Sequence, residues 1–290
     1  MTVPERYSSA TAFRRALEAR LKSIAAQEGV DLQRVRRQVA FDRLLNRIFL
    51  ADPAAWVLKG GYAMELRMAS ARTTKDIDLT FRKTSASQTK DPGGDPILDQ
   101  LQAAAAEDLG DGFAFLIGTA MMDLDGAPYG GARYPVDARM DGRTFARFHL
   151  DAGVGDRVLE PVETLRPRDW LAFAGVPAAT FPALPAEQQF AEKYHAYTFV
   201  RPGRPNSRVR DLVDMVLLIR NSKLDAERLR KALRATFKRR GSHPIPREMP
   251  EPPSSWNAPF ASLAKECRLA LTLEEAVPEV RNFLGTMLGK

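Results

Sequence analysis

A single cysteine, Cys267, occurs in 290 residues, so no disulfide can form within the chain and no thiolate metal site can be built. Histidine is nearly as scarce. His149, His195 and His243 lie too far apart in sequence to suggest a zinc cluster. No apolar run approaches the roughly 18 residues that a membrane-spanning helix needs. The opening stretch MTVPERYSSATAFRRALEAR lacks an apolar segment of signal-peptide length. The chain therefore reads as a cytoplasmic protein with no membrane partner. It shows no Ser-His-Asp order with nucleophile-elbow glycines and no P-loop pattern. Internal repeats and low-complexity tails are missing too.

Positive charge is plentiful and unevenly placed. The net charge is +7, yet residues 201–240 hold 13 Arg and Lys against Asp211, Asp214, Asp225 and Glu227, a local net of +9. A field that concentrated favours a polyanionic partner such as nucleic acid. The plainer explanation of the same count is a set of solvated, arginine-rich helix faces. With 44% hydrophobic and 27% charged residues, the chain has ordinary globular composition and length for about two domains.

Two helices are expected first, Thr11–Gln27 stopped by Gly29 and a second from the cap Asp31 to about Leu50. Val35, Val39, Leu44, Leu45 and Ile48 would face inward on the second. A short strand, Trp56–Lys59, leads through a Gly-Gly turn to a short helix, Tyr62–Met68, and then to a strand, Asp76–Arg82. An exposed loop, KTSASQTKDPGGDP, precedes a helix capped by Asp95 with Pro96 at its first position. Phe113–Leu124 reads as one strand, and Asp141-Gly142 as the turn of a hairpin whose second strand ends at Asp151. Beyond a proline-punctuated connector, VPAATFPALPAE, the pattern is helical: Ala186–Val200, Arg208–Asn221, Asp225–Arg240 and a last segment from about Phe260. Six prolines within residues 244–259 suggest a mobile loop before it. The expected fold class is α+β, a mixed sheet with flanking helices over residues 1–170 followed by a helical domain over 171–290.

The strand DIDLTF raises a question. Ile77, Leu79 and Phe81 alternate as a half-buried strand should, which puts Asp76 and Asp78 on one face, roughly 6–7 Å apart. Like charges that close repel, and burying a carboxylate is costly. Either something positive sits between them or that face is wet. A strand, a Gly-Gly turn and a helix N-terminus also put backbone N–H groups where phosphate binds. Hard divalent cations take one or two carboxylates plus substrate phosphates, so Gly60, Gly61, Asp76 and Asp78 together suggest a metal-assisted phosphate site. A third carboxylate belongs at the end of a neighbouring strand. Asp151 in FHLD fits best, with Asp137 and Asp156 as rivals and a simple turn-forming role as the alternative. In EKYHAYTFVRPGRPNSRVRDLVDM, two antiparallel helices would bring Lys193 and Asp211 to similar heights. Lys193 suits a triphosphate as a point charge. The competing reading is structural, with Arg210 and Asp214 paired at i,i+4. Asp137, His149, His195 and Cys267 show no partner at useful spacing.

These stretches, LKGGYAMEL, ARTTKDIDL, LDAGVGD and AEKYHAYTFVRPGRPNSRVRDLVDMVLL, resemble the AbiEii/AbiGii-type nucleotidyltransferase toxins, a branch of the DNA polymerase β-like nucleotidyltransferase superfamily. The likeness spans roughly Trp56 to Leu218, and the order of motifs is more specific than any one of them. It implies transfer of a nucleoside monophosphate from an NTP to an acceptor hydroxyl with Mg²⁺ or Mn²⁺, releasing pyrophosphate. Asp76 and Asp78 match the family's metal-binding pair, Gly60 and Gly61 its phosphate turn, Lys193 the lysine of its later motif, and Asp211 the acid of its R-x-K-D-x-x-D element. The resemblance further implies a toxin that modifies RNA, in particular the 3′ end of tRNA, with CTP or another pyrimidine nucleotide as donor and a separately encoded antitoxin as partner. Gly-Gly stands where many superfamily members have Gly-Ser, and Arg210 replaces a lysine, which leaves the nucleotide preference open.

Two other readings fit the same residues. A small-molecule nucleotidyltransferase of the antibiotic-modifying kind would need an acidic pocket for a cationic substrate. A catalytically inactive RNA-binding module would keep the fold and the basic surface without turnover.

Overall fold

In a computed structural model, residues 2–82, 95–124, 127–200, 203 and 205–289 are described. Residues 83–94 of the expected exposed loop, and Arg201, Pro202 and Arg204 of the expected inter-helix turn, lie outside them. The chain forms two compact units. The first comprises Met1–Tyr62, Thr73–Gly155 and Thr164–Ala183; the second comprises Ala63–Arg72, Asp156–Glu163 and Leu184–Lys290.

In the first unit, α1 (Ala10–Glu28) starts where the Ser9 side chain accepts from the Ala12 N–H, and ends at Gly29, whose φ of +66° suits glycine. Asp31 caps α2 (Leu32–Ala51) by accepting from the Gln33 and Arg34 N–H groups. Phe13, Leu17 and Leu21 of α1 are buried, as are the five apolar residues expected inward on α2. Burial on α2 goes further than the apolar pattern, because Arg43 and Arg47 are buried as well. Both hold Asp111, at 2.6 Å from Arg43 and 2.8 Å from Arg47. Burial alone would raise the Asp111 pKa; hydrogen bonding from Arg47 and the charges of Arg43 and Arg47 outweigh it and hold it below its ordinary value.

The strands are β1 (Trp56–Lys59), β2 (Asp76–Phe81), β3 (Phe113–Ile117), β4 (Met122–Asp123), β5 (Gly131–Met140), β6 (Arg143–Val154), β7 (Glu163–Leu165) and β8 (Phe181–Ala183). Their order is β3-β5-β6-β2-β1-β8-β7, with β4 also paired to β5. β2 runs parallel to β6 and β1 to β8, while β1–β2, β3–β5, β4–β5 and β5–β6 are antiparallel. The sheet is therefore mixed, as expected. Between β1 and β2 lies α3 (Gly60–Arg67), and α4 (Pro96–Ala106) begins at the Asp95 cap.

Several local expectations change. The Gly-Gly pair is the start of α3 rather than a separate turn. The single strand expected over Phe113–Leu124 is two, β3 and β4; both pair with β5, and the chain leaves the ladder in between. A Cβ on Gly118 would lie 2.9 Å from Pro135, so this departure passes too close to β5 for a side chain. The second hairpin strand continues past Asp151 to Val154, which makes Asp151 a strand-interior residue. The proline-punctuated connector contains β8.

The second unit is built on α5 (Ala186–Thr198), α6 (Val209–Asn221), α7 (Ala226–Arg240), α8 (Asn257–Glu266) and α9 (Leu273–Leu288). The expected last helical segment comprises two helices, α8 and α9. Every residue of α6 from Asp211 to Leu218 is buried, which marks it as the central helix. Met64 and Met68 from the short segment 63–72 share its core. The proline-rich stretch is packed rather than loose: Met249 and Trp256 are buried in that core, and Tyr197 Oη donates to the Pro250 carbonyl. No helix among the described residues is long and apolar enough to cross a membrane.

Candidate active site

The passage from β1 through α3 to β2 sets the position of the aspartates. Lys59, the last residue of β1, pairs with Asp78. Gly60 then takes φ +67°, a conformation that side chains disfavour. A Cβ at Gly60 would overlap the Asp78 carboxylate, and one at Gly61 would come within 2.6 Å of Thr74 Oγ1. Both glycines are needed for close approach. The Gly61 N–H points at Asp78 Oδ2 across 3.4 Å, so the N-terminus of α3 faces one of the two carboxylates.

On β2, Asp76 and Asp78 alternate with fully buried Ile77 and Leu79. The parallel register sets Asp76 opposite His149 and Asp78 opposite Asp151, and the β5–β6 register sets Arg133 opposite Asp151. Asp151 therefore lies on the neighbouring strand beside the pair, while its rival Asp137 pairs with Arg139 at 2.8 Å. Arg133 grips Asp151 with two bonds of 2.7 Å and lies 3.5 Å from Asp76. Its bond to Asp151 raises the guanidinium further above its ordinary pKa, with Asp76 and Asp78 adding to the effect against partial burial. His149 Nδ1 stands 3.2 Å from Asp76 Oδ1. The positive group among the carboxylates is thus an arginine belonging to the chain itself.

Among the described residues, no three His, Cys, Asp or Glu side chains converge as a metal cage. The reason is visible at Asp151, whose two oxygens are turned onto Arg133. Asp76 and Asp78 still present two carboxylates from one strand face beside inward-pointing backbone N–H. That donor set fits Mg²⁺, which typically takes one or two carboxylates and completes its octahedron with water and phosphate.

Lys193 and Asp211 belong to the helical unit. Lys193 Nζ lies 3.1 Å from Asp211 and 2.9 Å from Asp214. Arg72 adds a two-bond pairing to Asp214 at 3.0 and 2.9 Å. Asp214 is fully buried and Lys193 nearly so. Burial would lower the lysine's pKa, but Asp214 and then Asp211 raise it above its ordinary value. The same burial would raise Asp214, and Lys193 with Arg72 holds it down instead. The expected closeness of Lys193 and Asp211 is present. The alternative Arg210–Asp214 pair is not what holds Asp214.

Three participants had no clear sequence signal, Arg133, His149 and Arg72, whereas a fourth, Asp214, had one. Asp214 closes the R-x-K-D-x-x-D element and could have been found there. The others depend on strand register or on a contact more than a hundred residues away.

A family model described as "Nucleotidyl transferase AbiEii toxin, Type IV TA system" matches residues 43–285. Among solved structures, the chain is similar to MenT4, a nucleotidyltransferase toxin from Mycobacterium tuberculosis H37Rv, with 18% identity over 94% of this chain and 98% of that one and a TM-score of 0.55. It is also similar to JHP933 from Helicobacter pylori, with 16% identity, 87% and 91% coverage and a TM-score of 0.45. The first likeness bears on the fold alone, and the second is too distant to carry an argument. No curated protein sequence matches the chain.

Proposed function

Because this chain belongs to the AbiEii family of nucleotidyltransferase toxins, we propose that it moves a nucleoside monophosphate from an NTP onto RNA, at the 3′ end of tRNA, and so stops translation. A cognate antitoxin goes with that family. The observation that carries the chemistry is the pair Asp76 and Asp78 on one face of β2, against a glycine start of α3 too tight for any side chain. The RNA acceptor is supported by the exposed Lys231, Arg234 and Lys238, spaced three and four apart along one face of α7.

Asp76 and Asp78 would hold Mg²⁺, and Asp151 would join them only by releasing Arg133. An ion held there would supply charge stabilisation to the phosphates and would acidify the attacking hydroxyl. The N–H groups at Gly60 and Gly61 orient the triphosphate. Phosphoryl transfer needs mainly positioning and charge stabilisation, so no dedicated general base is required. The resemblance alone gives Lys193 the role of balancing triphosphate charge, with Asp211 orienting it. CTP or another pyrimidine nucleotide is the proposed donor.

The test incubates the protein with Mg²⁺, total cellular RNA and each labelled NTP in turn, beside Asp78→Ala. Label in a tRNA-sized band, from one preferred NTP and not with the variant, is expected. An RNA gel shift without label from any NTP would reduce the protein to a binding module.

A further inference from the structure

A pocket of about 680 Å³ opens in the first unit where β2 begins. β2 starts opposite His149, so Arg147 and Phe148 of β6 extend beyond it and leave a gap at the sheet face. One wall is cationic, with Arg37, Lys75, Arg133 and Arg147 against the carboxylates of Asp76 and Asp137. The other is apolar, with Leu116, Met121 and Pro135. Leu116 and Met121 are 52% and 61% exposed, unusual for large apolar side chains. Arg37 Nε is buried without a hydrogen-bond partner among the described residues, a donor short of an acceptor. Arg147 is 76% exposed, 3.8 Å from Asp137.

Strand order decides what belongs there. Gly60 and Gly61 lie on the β1 side of Asp76 and Asp78, whereas the pocket lies on the β6, β5 and β3 side. In an in-line displacement the attacking oxygen and the leaving pyrophosphate stand on opposite sides of the phosphorus. If the triphosphate tail is held at the glycines, the acceptor must enter from the pocket side. An apolar wall beside a cationic one suits a base and a phosphodiester, and the volume falls within the roughly 300–1,000 Å³ of ordinary ligand sites.

We propose that this pocket seats the 3′-terminal nucleotide of the RNA acceptor, its base against Leu116 and Met121 and its phosphodiester at Arg37, Lys75 and Arg147. The proposal rests on the nucleotidyl-transfer reading above. The terminal ribose hydroxyl oxygen bonds to the α-phosphorus, the bond from that phosphorus to the bridging oxygen breaks, pyrophosphate leaves with the electron pair, and the hydroxyl proton passes to solvent. Arg133, already bound to Asp151 and near Asp76, is a positioning residue between the pocket and the aspartates.

The experiment compares the full chain with Lys75→Ala/Arg147→Ala and with Leu116→Asp, all at exposed positions. It measures the KM for tRNA in transfer, NTP affinity without RNA by equilibrium dialysis, and cross-linking of an RNA ending in 4-thiouridine. The expected result is a KM for RNA raised on the order of tenfold in each variant, from two lost charge-assisted contacts or from a charge in the base's place. NTP affinity should stay unchanged, with cross-links mapping to Leu116 or Met121. An unchanged KM with active wild type, or a matching loss of NTP affinity, overturns the pocket assignment while leaving the transfer reading intact. Wild type that labels no RNA sinks both.

Discussion

At Asp214 a carboxylate with no exposure holds two cations, Arg72 and Lys193. Removing it strands both charges, so Asp214→Ala should destabilise the protein by about 3–5 kcal/mol in urea unfolding, the usual cost of breaking a buried pair. The pH dependence follows from the two shifts. Asp214 is held below its ordinary 3.8, so its contribution is full above that value and disappears as pH falls through the lower folded value. Lys193 is held above its ordinary 10.5, so its contribution is full below that and disappears as pH rises through the higher folded value. Urea midpoints should therefore show no titration from this pair between those limits. Gly60 makes a second prediction. Gly60→Ala adds a Cβ onto the Asp78 carboxylate and forces φ +67° on alanine. The backbone strain costs about 1 kcal/mol, so the variant should stay folded while RNA labelling falls at least as far as in a partial Asp78 defect. Asp76, Asp78 and the glycines were legible because their chemistry is local: spacing along one strand and one turn. Arg72 was not, since its partner Asp214 lies 142 residues on.

Among the elements, the hairpin shows how legibility fails by one residue. Asp141 and Gly142 adopt φ of +53° and +69°, as a tight two-residue turn requires, and Met140 pairs with Arg143. Counting back from that turn would set Arg133 opposite Leu150, on the other face. The register instead shifts between Ala138 and Arg139, and Phe145 becomes the extra residue on β6. That bulge delivers Arg133 to Asp151, and no sequence rule announces it. β8 has little sequence signal for another reason. It is three residues long, sits among prolines, and owes its existence to parallel pairing with Leu58 of β1. Helices are more legible because caps such as Asp31, Asp95 and Asp225 mark their starts. On α7, Lys231, Arg234 and Lys238 share an exposed face. Changing all three to glutamate should weaken tRNA binding and lower the slope of log affinity against log salt by about 3, one per phosphate contact. A gel-shift titration at several salt concentrations measures it; an unchanged slope would move the RNA contact elsewhere.

The whole molecule is threaded rather than divided. The chain leaves its first unit after Tyr62, returns at Thr73, leaves again after Gly155, returns at Thr164 and leaves finally after Ala183. Composition suggested one boundary near residue 170, because proline spacing and helical periodicity report where a pattern changes, not which core a segment enters. Residues 63–72 bring Met64, Met68 and Ala71 into the helical core. A fragment of residues 1–170 would expose those three side chains, and it should elute as aggregate on size exclusion while the full chain does not. A monodisperse fragment would show that segment 63–72 can be satisfied without its helical partners.

For a gene, such threading limits the routes of change. A recombination breakpoint anywhere between codons 63 and 183 would join one lineage's short crossing segments to another lineage's core, and the two would have to match at every buried side chain. Diversity in this toxin should therefore accumulate by point substitution on its surfaces, with the two units inherited together.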